Sequence, residues 1–215
     1  MTLGGCVTSG YRAAEEIFSV ELESRNIEIG EVELQMETLL GLGRLKKERL
    51  TVLYYPNEDA VCIQYRKDFI NFHQFWSSEG REDFINALEI YNEDYNARDL
   101  NRNDRKSKQK YGKTRGYLIW QQATFLVRAR AGMDVELGYT FKERAPYFTI
   151  HQLEAEYIDE MARDNDRTSQ ATVFYFTRAQ AAELAALFDH EFLKEFAPDS
   201  NTSPVDRSNI PRDEY

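Results

Sequence analysis

The first part of the chain alternates between apolar and polar residues, which is typical of strands with one buried face. One alternation covers residues 16–23, and a second runs over residues 27–36. The second changes phase at Gly30, so a β-bulge is expected there. A helix over residues 31–40 is the competing interpretation.

A hairpin is predicted farther along the chain. Residues 50–55 and 60–65 are rich in β-branched and aromatic residues, and they flank residues 56–59, a turn-forming quartet of Pro, Asn, Glu and Asp. We expect Cys62, in the second segment, to be a small buried thiol. The aromatic residues over 69–76 predict that the chain continues as a further strand.

Two helices are predicted from a longer hydrophobic period and from capping residues. The first covers residues 79–97, where apolar residues recur at spacings of three and four. Its buried face is expected to contain Phe84, Leu88, Tyr91 and Tyr95. The second helix follows Thr177, because Thr177 and Gln180 form a capping box, and it ends by Pro198.

An antiparallel meander with short connections is predicted between these helices. The expected strands are residues 117–121, 125–130, 135–142, 147–157 and 171–176, with a turn over residues 131–134. His151 alternates with apolar residues in its strand, so we expect it to face inward and to be hydrogen-bonded.

These elements predict an α+β protein with antiparallel β-sheet in two blocks, each followed by an amphipathic helix. Trp76 and Ser77 align with Phe176 and Thr177 at an offset of 100 residues, which suggests two similar halves. Convergence of two strand–cap–helix segments is the alternative. The predicted organisation is a tether over residues 1–12, a β-rich half over 13–97, a basic connector over 98–115, a β-meander half over 116–197 and a disordered tail over 198–215.

The charge is distributed unevenly along the chain of 215 residues. The formal net charge is -10, but residues 98–115 contain eight basic and two acidic residues, a net charge of +6, which leaves -16 for the rest. The net negative charge of the chain disfavours general nucleic-acid binding, so no specific nucleic-acid partner is expected. The basic residues are predicted to contact anionic lipid or a protein partner, with a solvated loop as the alternative. They are Arg98, Arg102, Arg105, Lys106, Lys108, Lys110, Lys113 and Arg115.

A possible membrane anchor lies near the start of the sequence. The four residues Leu3-Gly4-Gly5-Cys6 resemble the lipobox of bacterial lipoproteins, in which the cysteine becomes the lipid-modified N-terminus of the mature chain. The resemblance implies that Cys6 is lipidated and that the protein is lipid-anchored in the bacterial cell envelope. The basic and apolar regions of a signal peptide do not fit into five residues, so this interpretation requires further chain before Met1. An exposed thiol in a cytoplasmic protein is the alternative.

The histidines form no catalytic or metal-binding motif. His73, His151 and His190 are widely separated, and the sequence has no HExxH motif, nucleophile elbow or phosphate-binding glycine loop. We therefore assign no catalytic residue, metal or cofactor, and we favour a non-catalytic envelope lipoprotein whose globular body binds a protein partner or an anionic surface. A soluble cytoplasmic interaction protein and an unrecognised hydrolase are the alternatives.

Overall fold

The computed structural model describes residues 25–37, 44–122, 128–142, 144–156 and 168–196. Within these ranges the chain forms eight strands, three helices and a 3₁₀ turn at Ser107–Gln109. The strands are β1 Ile27–Glu37, β2 Leu45–Tyr55, β3 Ala60–Lys67, β4 Ile70–Trp76, β5 Gly112–Gln122, β6 Arg128–Lys142, β7 Ala145–Gln152 and β8 Thr172–Phe176. The helices are α1 Ser78–Ala97, α2 Arg178–Phe188 and α3 His190–Lys194.

The described strands close into one antiparallel barrel in sequence order. β4 pairs with β5, where Phe75 lies opposite Tyr117, and β8 pairs with β1, where Met36 lies opposite Phe174. The expected α+β fold with two blocks of sheet is therefore wrong. Alternation identified strands with a buried face, but it does not show which edges pair, and closure of the barrel pairs the edges that two separate blocks would expose.

The local predictions for β1 to β3 are confirmed. The register between β1 and β2 shifts between Glu28 and Gly30, which is the predicted irregularity, and β1 remains a strand where a helix was the alternative. Tyr55 pairs with Ala60 across the predicted hairpin turn. The alternation over residues 16–23, the tether and the tail over residues 198–215 lie outside the described residues.

The turn predicted over residues 131–134 is wrong, because β6 is one strand of 15 residues. Gly132 pairs with Tyr117, and Met133 pairs with Gly116. A Cβ atom at Gly116 would lie 2.5 Å from the Cε atom of Met133, so this glycine leaves the space that the methionine occupies. Glycine here serves close packing between strands rather than a turn.

Side chains fill the interior of the barrel, as expected for eight strands. Tyr65 stacks on Phe72, with ring centroids 4.9 Å apart, and meets the edge of Phe174 at 4.8 Å. Its hydroxyl donates to Oε1 of Gln152 at 2.7 Å, so a buried polar group is satisfied within the core. The interior therefore combines apolar packing with a few polar contacts.

Both longer helices begin with a side-chain cap. The Ser77 hydroxyl accepts a hydrogen bond from the Gly80 N–H at 3.3 Å. At α2, the Thr177 hydroxyl accepts from the Gln180 N–H, and the Gln180 side chain accepts from the Thr177 N–H, which confirms the predicted capping box. These contacts satisfy amides that have no partner inside a helix.

The helices α1 and α2 extend the core at one end of the barrel. They follow β4 and β8, which run in the same direction in an antiparallel barrel and so end at the same rim. The rings of Phe84 in α1 and Phe188 in α2 are 5.1 Å apart, and both contact Trp76 at the end of β4. The helices thus cover the rim where their strands end.

A second apolar cluster lies on the opposite face of β2 to β5 from the main core. Cys62 belongs to it and is fully buried, as predicted. The other members are Leu53, Tyr55, Ala60, Phe75, Tyr117 and Ile119. Among the described helices, none combines the length and apolar composition that crossing a bilayer requires.

Candidate anion-binding site

The basic segment, residues 98–115, runs from the end of α1 into β5. Arg98 ends α1 in the left-handed conformation, with φ of 61°, and its N–H bonds to the carbonyl oxygens of Asp94 and Tyr95. Residues 112–115 belong to β5. The predicted connector is therefore partly a strand of the barrel.

Two contacts fix the path of the basic segment on the barrel. The Tyr139 hydroxyl accepts a hydrogen bond from the Asn101 N–H and donates one to the Asn101 carbonyl oxygen, both at 3.0 Å. Beside Tyr139, a Cβ atom at Gly138 would lie 2.1 Å from the carbonyl oxygen of Ser107 and 2.5 Å from that of Lys108. The backbone of the 3₁₀ turn therefore packs directly on the outer face of β6.

Three of the eight predicted cations are bonded to carboxylates of the protein itself. Lys110 lies 2.6 Å from Asp94, Lys113 lies 2.9 Å from Glu136, and Arg115 lies 3.3 Å from Asp134. The last two pairs join residues directly opposite each other on β5 and β6. These three cations stabilise local structure and are poorly placed to bind an external anion.

The Asp94 pair also changes the pKa values of its members. The hydrogen bond from Lys110 lowers the pKa of Asp94, with help from the Tyr111 hydroxyl at 3.0 Å and against a smaller opposing effect of burial. The same bond to Asp94 raises the pKa of Lys110. Asp94 and Lys110 are therefore both charged at neutral pH and satisfy each other.

The remaining five cations form no ion pair with any residue that the structure describes. All five are exposed. We call them the open cations: Arg98, Arg102, Arg105, Lys106 and Lys108. The structure thus divides the predicted set into cations with a carboxylate partner and cations without one among the described residues.

A pocket of about 510 Å³ adjoins the open cations and is called the rim pocket below. It lies between the end of α1, the start of the basic segment and the β6–β7 hairpin. Phe141 and Pro146, on the hairpin, are directly opposite each other. The residues that line the rim pocket are Tyr95, Asn96, Arg98, Leu100, Phe141 and Pro146.

Two further arginines stack on aromatic residues that line the rim pocket, although neither arginine lines it itself. The guanidinium carbon of Arg102 is 4.9 Å from the ring centroid of Phe141, and that of Arg178 is 4.5 Å from the ring centroid of Tyr95. Nε of Arg178 donates to Oδ1 of Asn92 at 3.0 Å, which fixes its side chain along α1. Cation–π contact holds positive charge against an apolar wall.

The sequence predicted Arg98 and Arg102 but missed the other members of this site. Phe141 and Arg178 are distant from the basic segment in the sequence, and only barrel closure and helix packing bring them near it. Tyr95 was assigned to the buried face of α1, yet it is 38% exposed. Its place in the last turn of that helix was the available signal.

A family model described as "Uncharacterised Treponema protein" matches residues 12–195. The chain belongs to this Treponema family. No curated protein and no solved structure matches the chain significantly. The family description assigns no activity.

In this Treponema family member, the polar contacts of His151 lie on the outer face of the barrel. Its Nδ1 atom is 3.3 Å from Oε2 of Glu136, which also binds Lys113. His151 alternates with Ile150, which belongs to the core cluster, so the predicted inward orientation of His151 is wrong, whereas its hydrogen bond is present. Burial lowers the pKa of His151, and the contact with Glu136 opposes this shift.

The other two histidines are separate from this chain of contacts. Nδ1 of His73 is 3.2 Å from Nε2 of Gln64, and His190 is exposed at the start of α3. Within the described part of this Treponema family protein, no group of three or more His, Cys, Asp or Glu side chains could hold a metal ion. Cys6 lies outside the described residues.

Proposed function

We propose that the protein is a non-catalytic binding protein that docks on an anionic lipid surface through the open cations. The observation that carries this proposal is the division of the basic segment. Lys110, Lys113 and Arg115 are bonded to carboxylates, whereas Arg98, Arg102, Arg105, Lys106 and Lys108 are exposed and form no ion pair among the described residues. Cations with no carboxylate partner among the described residues can bind an external anion without first breaking a described ion pair.

The charge distribution supports a single orientation on such a surface. The basic segment carries a net charge of +6 and the rest of the chain -16. An anionic membrane repels most of the protein and attracts this segment, so approach through the segment is favoured. Each Lys or Arg close to an anionic leaflet contributes about 1 kcal/mol.

The packing of the segment on the barrel adds to this argument. The Asn101–Tyr139 hydrogen bonds and the contact of Ser107 with Gly138 hold the backbone in place. Binding therefore does not have to order the backbone of a free loop, which would weaken the affinity. The open cations project from a surface whose shape is already fixed by the barrel.

We also propose that Cys6 carries a lipid anchor and that the protein resides in the bacterial cell envelope. The support is the sequence Leu3-Gly4-Gly5-Cys6, which resembles a lipobox. A lipid anchor and a basic surface together give stable attachment where one signal alone is marginal. Mass spectrometry of the protein from its native membrane tests the anchor. An unmodified Cys6 with Met1 still attached contradicts it.

Vesicle co-sedimentation with two charge-matched variants tests the docking surface. R105Q/K106Q removes two open cations and should weaken binding to phosphatidylglycerol-containing vesicles by about thirtyfold, which corresponds to about 2 kcal/mol. The control K47Q/R66Q removes two exposed cations from β2 and β3, on the far side of the barrel from β6. It should weaken binding by less than about threefold, since distant surface charges are screened.

The comparison of these variants separates a localised site from overall charge. An equal loss in both variants means that net charge governs binding and contradicts the proposed surface. Binding that ignores both lipid charge and salt also contradicts it. Binding to an acidic protein but to no anionic vesicle would assign the open cations to a protein partner instead.

A further inference from the structure

We infer that the rim pocket binds an anionic amphiphile, specifically a phosphate ester that carries an aliphatic chain. This inference rests on the proposed function and deepens it, since it places one selected ligand beside a surface that otherwise attracts many anions. Mouths of β-barrels are frequent sites for small ligands, and the volume of about 510 Å³ lies in the range of ligand pockets.

The apolar side of the rim pocket is continuous with the barrel core. Phe141 follows the inward-facing residues Leu137 and Tyr139 along β6, and it packs against the core cluster. Leu100 also packs against that cluster, and Pro146 lies opposite Phe141 across the hairpin. An aliphatic chain on these three residues would remove apolar surface from water on both sides of the contact.

One arginine lines the rim pocket, and two more lie over rings of its lining. Arg98 lines the pocket, Arg102 lies over Phe141, and Arg178 lies over Tyr95. Guanidinium groups present paired N–H donors that match the oxygens of a phosphate, and they bind it more specifically than lysine does. One arginine in the lining and two more stacked on lining residues favour a phosphate over an uncharged polar group.

Two described acidic residues lie close to Arg98 in the sequence. Asp94 is bonded to Lys110 at 2.6 Å and to the Tyr111 hydroxyl at 3.0 Å. Asp99 is exposed, and its N–H bonds to the carbonyl oxygen of Asp94. Among these described residues, the three arginines outnumber Asp99.

Arg178 makes the inference separable from the proposed function. It belongs to α2, outside the basic segment, and it stacks on Tyr95, a residue that lines the pocket. Arg105 and Lys106 belong to the segment and do not line the pocket. A pocket ligand and a charged membrane should therefore respond to different substitutions.

Calorimetry with three small probes tests the inference on the full chain. n-Hexyl phosphate should bind with one-to-one stoichiometry, at least about tenfold more tightly than inorganic phosphate or hexanol, because only hexyl phosphate engages both sides of the pocket. L100S and R178Q should each weaken the binding of hexyl phosphate at least about fivefold. R105Q/K106Q should change the affinity for hexyl phosphate by less than about twofold. Thermal denaturation of each variant verifies that it is folded.

A vesicle arm distinguishes a membrane lipid from a free phosphate ester. If the natural source is a lipid, L100S should weaken binding to phosphatidic acid vesicles more than to phosphatidylglycerol vesicles of equal charge. If the natural ligand is a free ester, L100S should weaken the binding of hexyl phosphate and leave the binding of both kinds of vesicle unchanged. Equal affinities for hexyl phosphate and inorganic phosphate, or no effect of both L100S and R178Q, overturn the inference, even where anionic vesicles still bind and the proposed function stands.

Discussion

The carbonyl oxygen of Ser107 lies so close to Gly138 that a Cβ atom at position 138 would be 2.1 Å from it. This contact joins the basic segment to the wall of the barrel. G138A should destabilise the protein by about 1–3 kcal/mol, because the backbone of the 3₁₀ turn has to move away from β6. Urea unfolding followed by circular dichroism measures this change.

A second glycine provides the control for that substitution. A Cβ atom at Gly30 would lie 3.0 Å from Cδ1 of Leu187, which is the end of a flexible side chain. G30A should therefore lower the free energy of unfolding less than G138A does, because the Leu187 side chain can rotate whereas the Ser107 backbone cannot. Equal stability of the two variants would contradict the account of the Gly138 contact.

The buried Arg81 of α1 fixes the turn between β2 and β3. Its guanidinium donates to the Asp59 carbonyl oxygen at 2.6 Å and to Oδ1 of Asp59 at 2.7 Å, and its side chain is only 2% exposed. D59N should lower the free energy of unfolding by about 2 kcal/mol, because a buried cation loses its counter-charge. Chemical denaturation at neutral pH provides the value.

Asp68 is the matched control for this prediction. It has φ of 54°, close to the 45° of Asp59, and Asn tolerates this left-handed conformation. D68N makes the same chemical change beside Lys67 rather than beside a buried arginine, so it should destabilise the protein less than D59N does. If D59N and D68N lower the free energy of unfolding equally, the proposed role of Arg81 is wrong.

His151 makes the stability depend on pH in mildly acidic solution. Burial holds its pKa in the folded protein below the ordinary value of 6.5. As the pH falls below 6.5, the unfolded chain takes up this proton before the folded protein does, so the free energy of unfolding decreases. H151Q removes this effect, and its stability should fall less than that of the wild type between about pH 7.5 and 5.5.

The exposed His190 supplies the control for the pH experiment. H190Q should keep the wild-type loss of stability over the same range, measured from urea midpoints at several pH values. Carboxylates with lowered pKa values, such as Asp94, affect stability only in more acid solution, as the pH falls through those values. A loss in H151Q as large as in the wild type would rule out His151 as the source.

Local patterns identified much of the secondary structure but not its closure. The bulge near Gly30 and the capping box at Thr177 depend on residues close in sequence, and both were predictable. The pairing of Met36 with Phe174 depends on the geometry of the whole sheet, so no local alternation encodes it. Gly132 indicated a turn by residue type, but its position opposite Tyr117 makes it part of a strand.

The sequence predicted the basic residues of the candidate site but not the contacts that they make. The basic segment stood out in the sequence, yet which cations are paired depends on cross-strand register, as with Lys113 and Glu136. That register depends on β6 being one continuous strand. The rim pocket joins parts of the chain that approach one another only in the barrel, so Phe141 and Arg178 had no signal beyond their chemical type.

The central claim is that the open cations direct the protein to anionic lipid. Its most direct test is the dissociation constant of the wild-type protein for phosphatidylglycerol-containing vesicles and for phosphatidylcholine vesicles, both at about 0.1 M salt. We expect at least about a hundredfold tighter binding to the anionic vesicles, from several cations at about 1 kcal/mol each. Equal binding to both kinds of vesicle, or no binding to either, would contradict it.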